Sequence, residues 1–471
     1  MDISPAGYLY ILLLGYLILH QRNRFYNLFV LTLVTEVFLG IGYIIKIGKT
    51  ALSFEGVIQY VIIAYCLFNI KHIPLKLKRG CLLLMGSFII PILLLYLFPS
   101  NALVTTMEVS WDEVLFDGAS LVHPAVTGFV LKSNVKVLLM TLVFVYIYIN
   151  WSVKDYQKSL RIFSGIANIF LILGIIEFCV RNILGLNEEW GSLLEFFWGE
   201  SDNTVYESLE RGTAYGLNLF TKEPSHYVNT LLIICIAKLT NNVINGKSRI
   251  IDNPILIALL LMLLSTAFSA VYTSGVFLVI YFMYRWYIIK PKTMQYEKIS
   301  VLVILLVVIS SLTVLLGSYT DSYIVKRLLN LNENLGDMIS TDWDYGFSAG
   351  DKSAQIRMVS TIQTLITLFT GRPVFGYSYN AIICHSAGVQ LLAGIGLFGM
   401  ICWIRFYFFL IPLRNFLQPI KNLLYIGIAL FLFKNILGGS HLEMYGVTLL
   451  VYSSCFCFIF SNKLSQFVHK T

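Results

Sequence analysis

Apolar residues along this chain gather in long runs rather than in alternating or one-sided patterns. The runs fall at 7–19, 25–45, 52–70, 81–98, 135–151, 162–181, 225–240, 254–269, 271–289, 299–317, 386–411, 422–437 and 444–460. An α-helix needs about 20 apolar residues to cross ~30 Å of hydrocarbon. The pattern therefore predicts an all-α fold, a polytopic transmembrane helix bundle formed by residues 1–471 as one unit. Thirteen spans are favoured within a range of 11 to 14, because the first run is short and the pair 254–269 and 271–289 has almost no linker. No Arg-rich leader with a small-residue cleavage site precedes the first run, which reads as a retained helix.

Charge orients the bundle. With the N-terminus outside and the C-terminus cytoplasmic, the inner segments are 20–24, 71–80, 152–161, 238–253, 285–298, 403–421 and 461–471. They hold 21 of the 34 Lys and Arg residues, and their only acids are Asp155, Asp252 and Glu297. This is the positive-inside asymmetry, repeated at every turn of the chain. Three long segments then lie outside, at 99–134, 182–224 and 318–385, and the chemically interesting residues lie in the last two.

Composition narrows the class further. The chain is 57% hydrophobic and 13% charged, about half the charge of a soluble domain, so the bilayer is its first partner. The net charge of +8 is distributed by membrane side and is no nucleic-acid footprint. The eight cysteines sit mostly inside apolar runs without ligand spacing, which predicts neither a disulfide framework nor a metal site. The pair Asp342 and Asp344 matches a metal-binding carboxylate pattern on paper, but its acidic loop makes it a solvated pair.

Segment 318–385 predicts two amphipathic helices, over 321–334, with Lys326 and Arg327, and over 352–370. The second carries Ile356, Val359, Ile362, Ile366 and Phe369 on one stripe and Arg357 on its flank. It ends in the aromatic glycine turn Gly371-Arg372-Pro373-Val374-Phe375-Gly376-Tyr377, and His385 follows at the threshold of an apolar run. In segment 182–224, Arg211 precedes Lys222, Glu223, Pro224 and Ser225, with His226 next, a good helix start. Each residue has a plain account when taken singly. Glu223 caps a helix, Arg357 snorkels, Arg372 is a helix C-terminal cation, and His385 is an interfacial cap. Glu36 inside an apolar run reads as a neutral or paired acid, and Glu177 with Arg181 reads as an ion pair four residues apart. His441 and Glu443, beside Gly438-Gly439, read as a hinge loop. Trp111, Trp190, Trp198 and Trp343 suit sugar stacking and headgroup belts equally.

Together, these residues place three arginines, a histidine and a carboxylate on one face at helix ends. A guanidinium fork matches phosphate oxygens, and a histidine takes a proton from an attacking hydroxyl. The order is Arg211-Gly212, then Glu223-Pro224-Ser225, Ser353-Ala354-x-x-Arg357, the glycine turn, His385-Ser386 and Gly394-Ile395-Gly396-Leu397-Phe398-Gly399. In this order the chain resembles the O-antigen polymerase and ligase superfamily, bacterial inner-membrane glycosyltransferases with a GT-C-like bundle and a large extracytoplasmic loop domain. The Glu-Pro-Ser motif leans towards the polymerases.

The resemblance implies a metal-independent, cofactor-free transferase with undecaprenyl-diphosphate-linked glycans as donor and acceptor. Arg211 and Arg357 would hold the diphosphate, and His385 or Glu223 would take the hydroxyl proton. Arg372, Arg327, Lys222, His226, Tyr377 and His441 would line the diphosphate and glycan path. A chain-length regulator and a flippase are the implied partners. The alternatives are an O-antigen ligase, which differs in its acceptor, and a lipid-linked oligosaccharide flippase. A flippase is expected to carry mid-depth charges, internal repeats and short outer loops.

Overall fold

The computed structural model describes residues 2–199 apart from short interruptions, scattered positions between 210 and 277 including the continuous run 251–265, and residues 352–406. The runs 299–317, 422–437 and 444–460, segment 318–351, and with them Arg327, Trp343, His441 and Glu443, lie outside the described residues. So do Trp111, Lys222, Glu223 and His226.

The described chain is mostly helical with a few short strands. In order the elements are β1 (Asp2–Ile3), α1 (Pro5–Leu19), α2 (Arg24–Phe38), β2 (Tyr43–Ile47), β3 (Thr50–Ser53), α3 (Phe54–Asn69), α4 (Leu75–Leu97) and α5 (Gly128–Asn150). Then follow α6 (Val153–Phe178), α7 (Asn187–Trp198), β4 (Glu210–Arg211), β5 (Ala214–Tyr215), α8 (Asn253–Leu264), α9 (Lys352–Gly371) and α10 (Ala387–Ile404).

Three helical stretches among the described residues are long and apolar enough to cross a membrane: Leu77–Leu97, Gly128–Ile147 and Arg161–Ile183. α4 shows why. Leu77, Leu84, Phe88 and Leu95 are buried along one side, yet Leu82, Leu83, Leu93 and Leu97 are exposed on the other. A helix that is apolar all round, with half its leucines facing outward, is stable where the surroundings are hydrocarbon.

The run 25–45 departs from the expected single span. Its helix stops at Phe38, and Tyr43–Ile47 forms a strand instead. That strand pairs with β1 on one side and with β3 on the other, with registers Asp2↔Lys46 and Ile47↔Thr50. A β-branched and aromatic stretch fits a paired strand, and apolar content alone does not separate it from a helix end. α1 and α2 have 15 residues each, short of a ~20-residue span.

The chain folds as two compact units. The first unit comprises 1–15, 34–54 and 163–351. Its small sheet is locked to α1: the Ser4 hydroxyl donates to the Tyr43 carbonyl at 2.6 Å and accepts the Gly7 N–H at 3.0 Å. Tyr10 and Thr35 share a buried hydroxyl–hydroxyl bond of 2.8 Å.

The second unit comprises 16–33, 55–162 and 352–471. α4 packs on α10, and α9 packs on α10. Leu84, Phe88, Val137, Tyr379, Leu391 and Ile395 form its main buried cluster.

α10 is interrupted. Gly396 has φ +67°, ψ −176°, inside an otherwise helical run. The loop before it fills the gap. Tyr377 and Ser378 donate their N–H groups to the carbonyls of Ala393 and Gly394, and Leu397 and Phe398 donate theirs to Pro373 and Val374. The broken helix thus leaves none of these eight groups orphaned.

Candidate functional site

α9 begins and ends where the sequence predicts, but its apolar stripe does not face inward as a whole. Ser360, Thr364 and Leu368 point inward at 0%, 2% and 0% exposure. Of the stripe, Val359 is buried, while Ile366 and Phe369 are about half exposed, at 48% and 53%. The reason is the partner: the inward face meets a polar loop, so much of the apolar stripe is left for the surroundings, as on a membrane-interfacial helix.

That loop carries His385. The His385 N–H donates to the Ser360 hydroxyl at 3.3 Å. Ser360 lies three positions after Arg357 on α9, about one helical turn away. The fold therefore brings the His385 backbone to the helical turn next to Arg357. The imidazole-bearing residue itself is exposed.

Around it is a closed set of polar contacts. The Ser386 N–H donates to the Cys384 sulfur at 3.2 Å, and the Cys384 thiol donates to the Ser386 carbonyl at 3.4 Å. The Ser386 hydroxyl caps α10 by accepting the Val389 N–H. The Cys384 N–H donates to Gln390 Oε1, whose Nε2 in turn donates to Asn380 Oδ1. Asn134 of α5 clamps the preceding turn through Nδ2, which donates to the Tyr379 carbonyl at 2.9 Å and to the Ser378 hydroxyl at 3.2 Å. Ser378 and Asn380 take φ values of +77° and +65°, conformations that cost a non-glycine residue free energy and that this clamp sustains.

Burial pushes the Cys384 thiol up from its ordinary pKa, against the pull of hydrogen bonds from the Ser386 backbone and the hydroxyls of Thr361, Thr364 and Ser360. The neutral thiol is the folded form. The stability it favours is fully present below the ~8.5 of an unfolded thiol and is lost as pH rises through the higher folded value. Maleimide labelling of Cys384 is accordingly expected to be slow at neutral pH and to accelerate only in alkali. Rapid labelling at neutral pH would contradict the buried placement.

Arg372 and Tyr377 have internal partners rather than a free face. Arg372 Nη2 donates to the carbonyl of Phe98, the C-cap of α4, a good place for a cation at a helix C-terminus. Its guanidinium also lies over the Tyr377 ring, 5.6 Å from the centroid. Tyr377 is 1% exposed and donates its hydroxyl to the Thr367 carbonyl at 3.1 Å. Both residues hold the glycine turn against α4 and α9.

Arg211 stands in the first unit, on a two-residue hairpin whose registers are Glu210↔Tyr215 and Arg211↔Ala214. In the same unit the expected Glu177–Arg181 pair is present at 3.0 Å, with both residues buried, at 0% and 3% exposure. Arg181 lies in a π-helical turn, Cys179–Ile183, and its Nε donates to Asn187 Oδ1 at 2.7 Å. Glu177 also receives the Leu219 N–H on both oxygens, at 3.1 and 2.9 Å. It thereby ties α6 to the chain that runs on from Arg211. Trp190 and Trp198 both fall on α7, and Glu36 falls on α2.

No group of three or more His, Cys, Asp or Glu residues with metal-holding geometry occurs among the described residues. Comparison with protein-family models, with curated proteins and with solved structures found no match.

Proposed function

We propose that this chain polymerises undecaprenyl-diphosphate-linked oligosaccharide repeat units by glycosyl transfer at the outer face of a bacterial inner membrane. The observation that carries the proposal is the approach of the His385 backbone to the α9 turn beside Arg357, through the Ser360 hydroxyl. It brings the backbone that bears a proton acceptor to within a helical turn of the one that bears a cation, and those are the parts needed to hold a diphosphate and activate a hydroxyl.

In the proposed step, a sugar hydroxyl of the incoming lipid-linked repeat attacks the anomeric carbon of the growing chain. The bond from that carbon to the diphosphate oxygen breaks, and undecaprenyl diphosphate leaves as an anion held by Arg357. The hydroxyl proton passes to His385. The family resemblance adds Arg211 as a second diphosphate ligand and Glu223 as the alternative proton acceptor. Preorganised charge of this kind is commonly worth ~10²–10³ in rate per donor.

Arg357→Ala and His385→Ala, at normal abundance in the membrane, are each expected to cut long surface polysaccharide about a hundredfold or more and to leave single repeats on the lipid core. Persistence of long chains would overturn the assignment. Loss of single repeats as well would favour a ligase, and repeats retained on the cytoplasmic side would favour a flippase.

A further inference from the structure

Segment 99–134 contributes no residue to the proposed chemistry, yet it grips the loop that carries His385. Thr105 is 1% exposed. Its hydroxyl donates to the Ile383 carbonyl at 2.7 Å, and its own carbonyl accepts the Ile383 N–H at 3.0 Å. One residue thus engages both backbone groups of Ile383, two positions before His385. On the other side of His385, Ser386 is fixed as the cap of α10. Thr105 is itself anchored, because the neighbouring Val104 pairs with Val122 through two backbone bonds of 2.8 and 3.0 Å and is buried with Tyr377 and Ile382.

We propose that Thr105 is the positioning residue for His385, setting the imidazole against the helix that carries Arg357. This rests on the proposed role of His385. Threonine suits the task because its β-branch restricts χ1, so the hydroxyl stays aimed at Ile383. A group displaced by ~1 Å can cost ~10²-fold in rate, so a tether that close to the imidazole matters.

The test uses the full chain in membranes of its host. Thr105→Val keeps the shape and deletes the hydroxyl, Thr105→Ser keeps the hydroxyl, and Ser360→Ala removes the tether from α9. Two quantities are read: the pH profile of His385 carbethoxylation by diethyl pyrocarbonate, followed by peptide mass spectrometry, and the length of surface polysaccharide. Thr105→Val is expected to shift the profile and to lower long chains about tenfold or more, while Thr105→Ser stays near the parent. An unshifted profile in Thr105→Val overturns the proposal, whether or not chains shorten. If Thr105→Val fails to reach the membrane, Thr105→Ala decides: a profile shifted relative to Ser360→Ala and the parent supports the proposal, and an unshifted one overturns it. A shifted profile in Thr105→Val together with normal chains in His385→Ala leaves the positioning intact and removes the catalytic role of His385.

Discussion

Glu177→Ala is expected to lower the unfolding free energy by about 3–5 kcal/mol, one of the two largest effects anticipated for a single substitution here. The Arg181 guanidinium remains at 3% exposure and loses the carboxylate that faces it at 3.0 Å, and the Leu219 N–H loses both oxygens of Glu177. Removing one partner of a buried ion pair is among the costliest lesions a fold can carry. Removing both charges in the double variant Glu177→Ala, Arg181→Met should recover part of the loss, since a buried pair is often no better than an apolar filling. The orphaned Leu219 N–H and the Asn187 amide leave a residue of about 1–3 kcal/mol each. Heat-induced unfolding of the purified protein in detergent compares both variants with the parent. If the single substitution is silent, the pair is not enclosed as described.

Gly376→Ala is expected to cost about 3 kcal/mol or more, from the sum of strain at a left-handed residue and overpacking. Gly376 has φ +73°, and a Cβ there would sit 2.5 Å from the Ala393 carbonyl oxygen and 2.6 Å from that of Gly394. These are backbone atoms and cannot swing aside as a side chain would. They also belong to the break in α10, so relief of the clash would have to open the hydrogen bonds that repair it. Gly165→Ala is the control, because a Cβ at that helical position meets nothing within 4 Å. Equal melting of the two variants would show that the glycine turn does not pack into the interrupted helix.

How much of this is legible in the sequence depends on whether local pattern or distant partner decides. The apolar runs over α4, α5 and α6 are readable because length and composition alone license a membrane helix. The end of α9 is readable from Gly371 and Pro373. The strand at Tyr43–Ile47 is not, since its apolar residues continue the preceding run and only pairing with Asp2 and with Thr50 gives them another use. Periodicity alone leaves the orientation of α9 open for a related reason. A hydrophobic stripe marks the core only when the core is less polar than what lies outside, and here a loop with serine and cysteine occupies the inside.

The site follows the same division. Arg357 and His385 stand out in the sequence as charge at helix ends, and their approach through Ser360 requires the fold. Arg372 and Tyr377 look equally available in the sequence, because nothing local reveals the Phe98 carbonyl far upstream. Glu177 is readable as half of an i,i+4 pair, but its grip on Leu219 is hidden by the same distance. Thr105 has no sequence signal at all: a lone threonine in a polar segment looks like any other.

The interruption of α10 carries a consequence for how the protein is made. The segment that completes the broken helix lies upstream of it, so during synthesis Pro373–Ser378 is made and emerges ahead of its acceptors at Ala393 and Gly394. Its short sequence separation from the break makes closure fast. Backbone groups left without partners are costly to bury. The unit that must fold together is therefore the loop with its helix, and a truncation that separates them should be recognised as unfinished by cellular quality control.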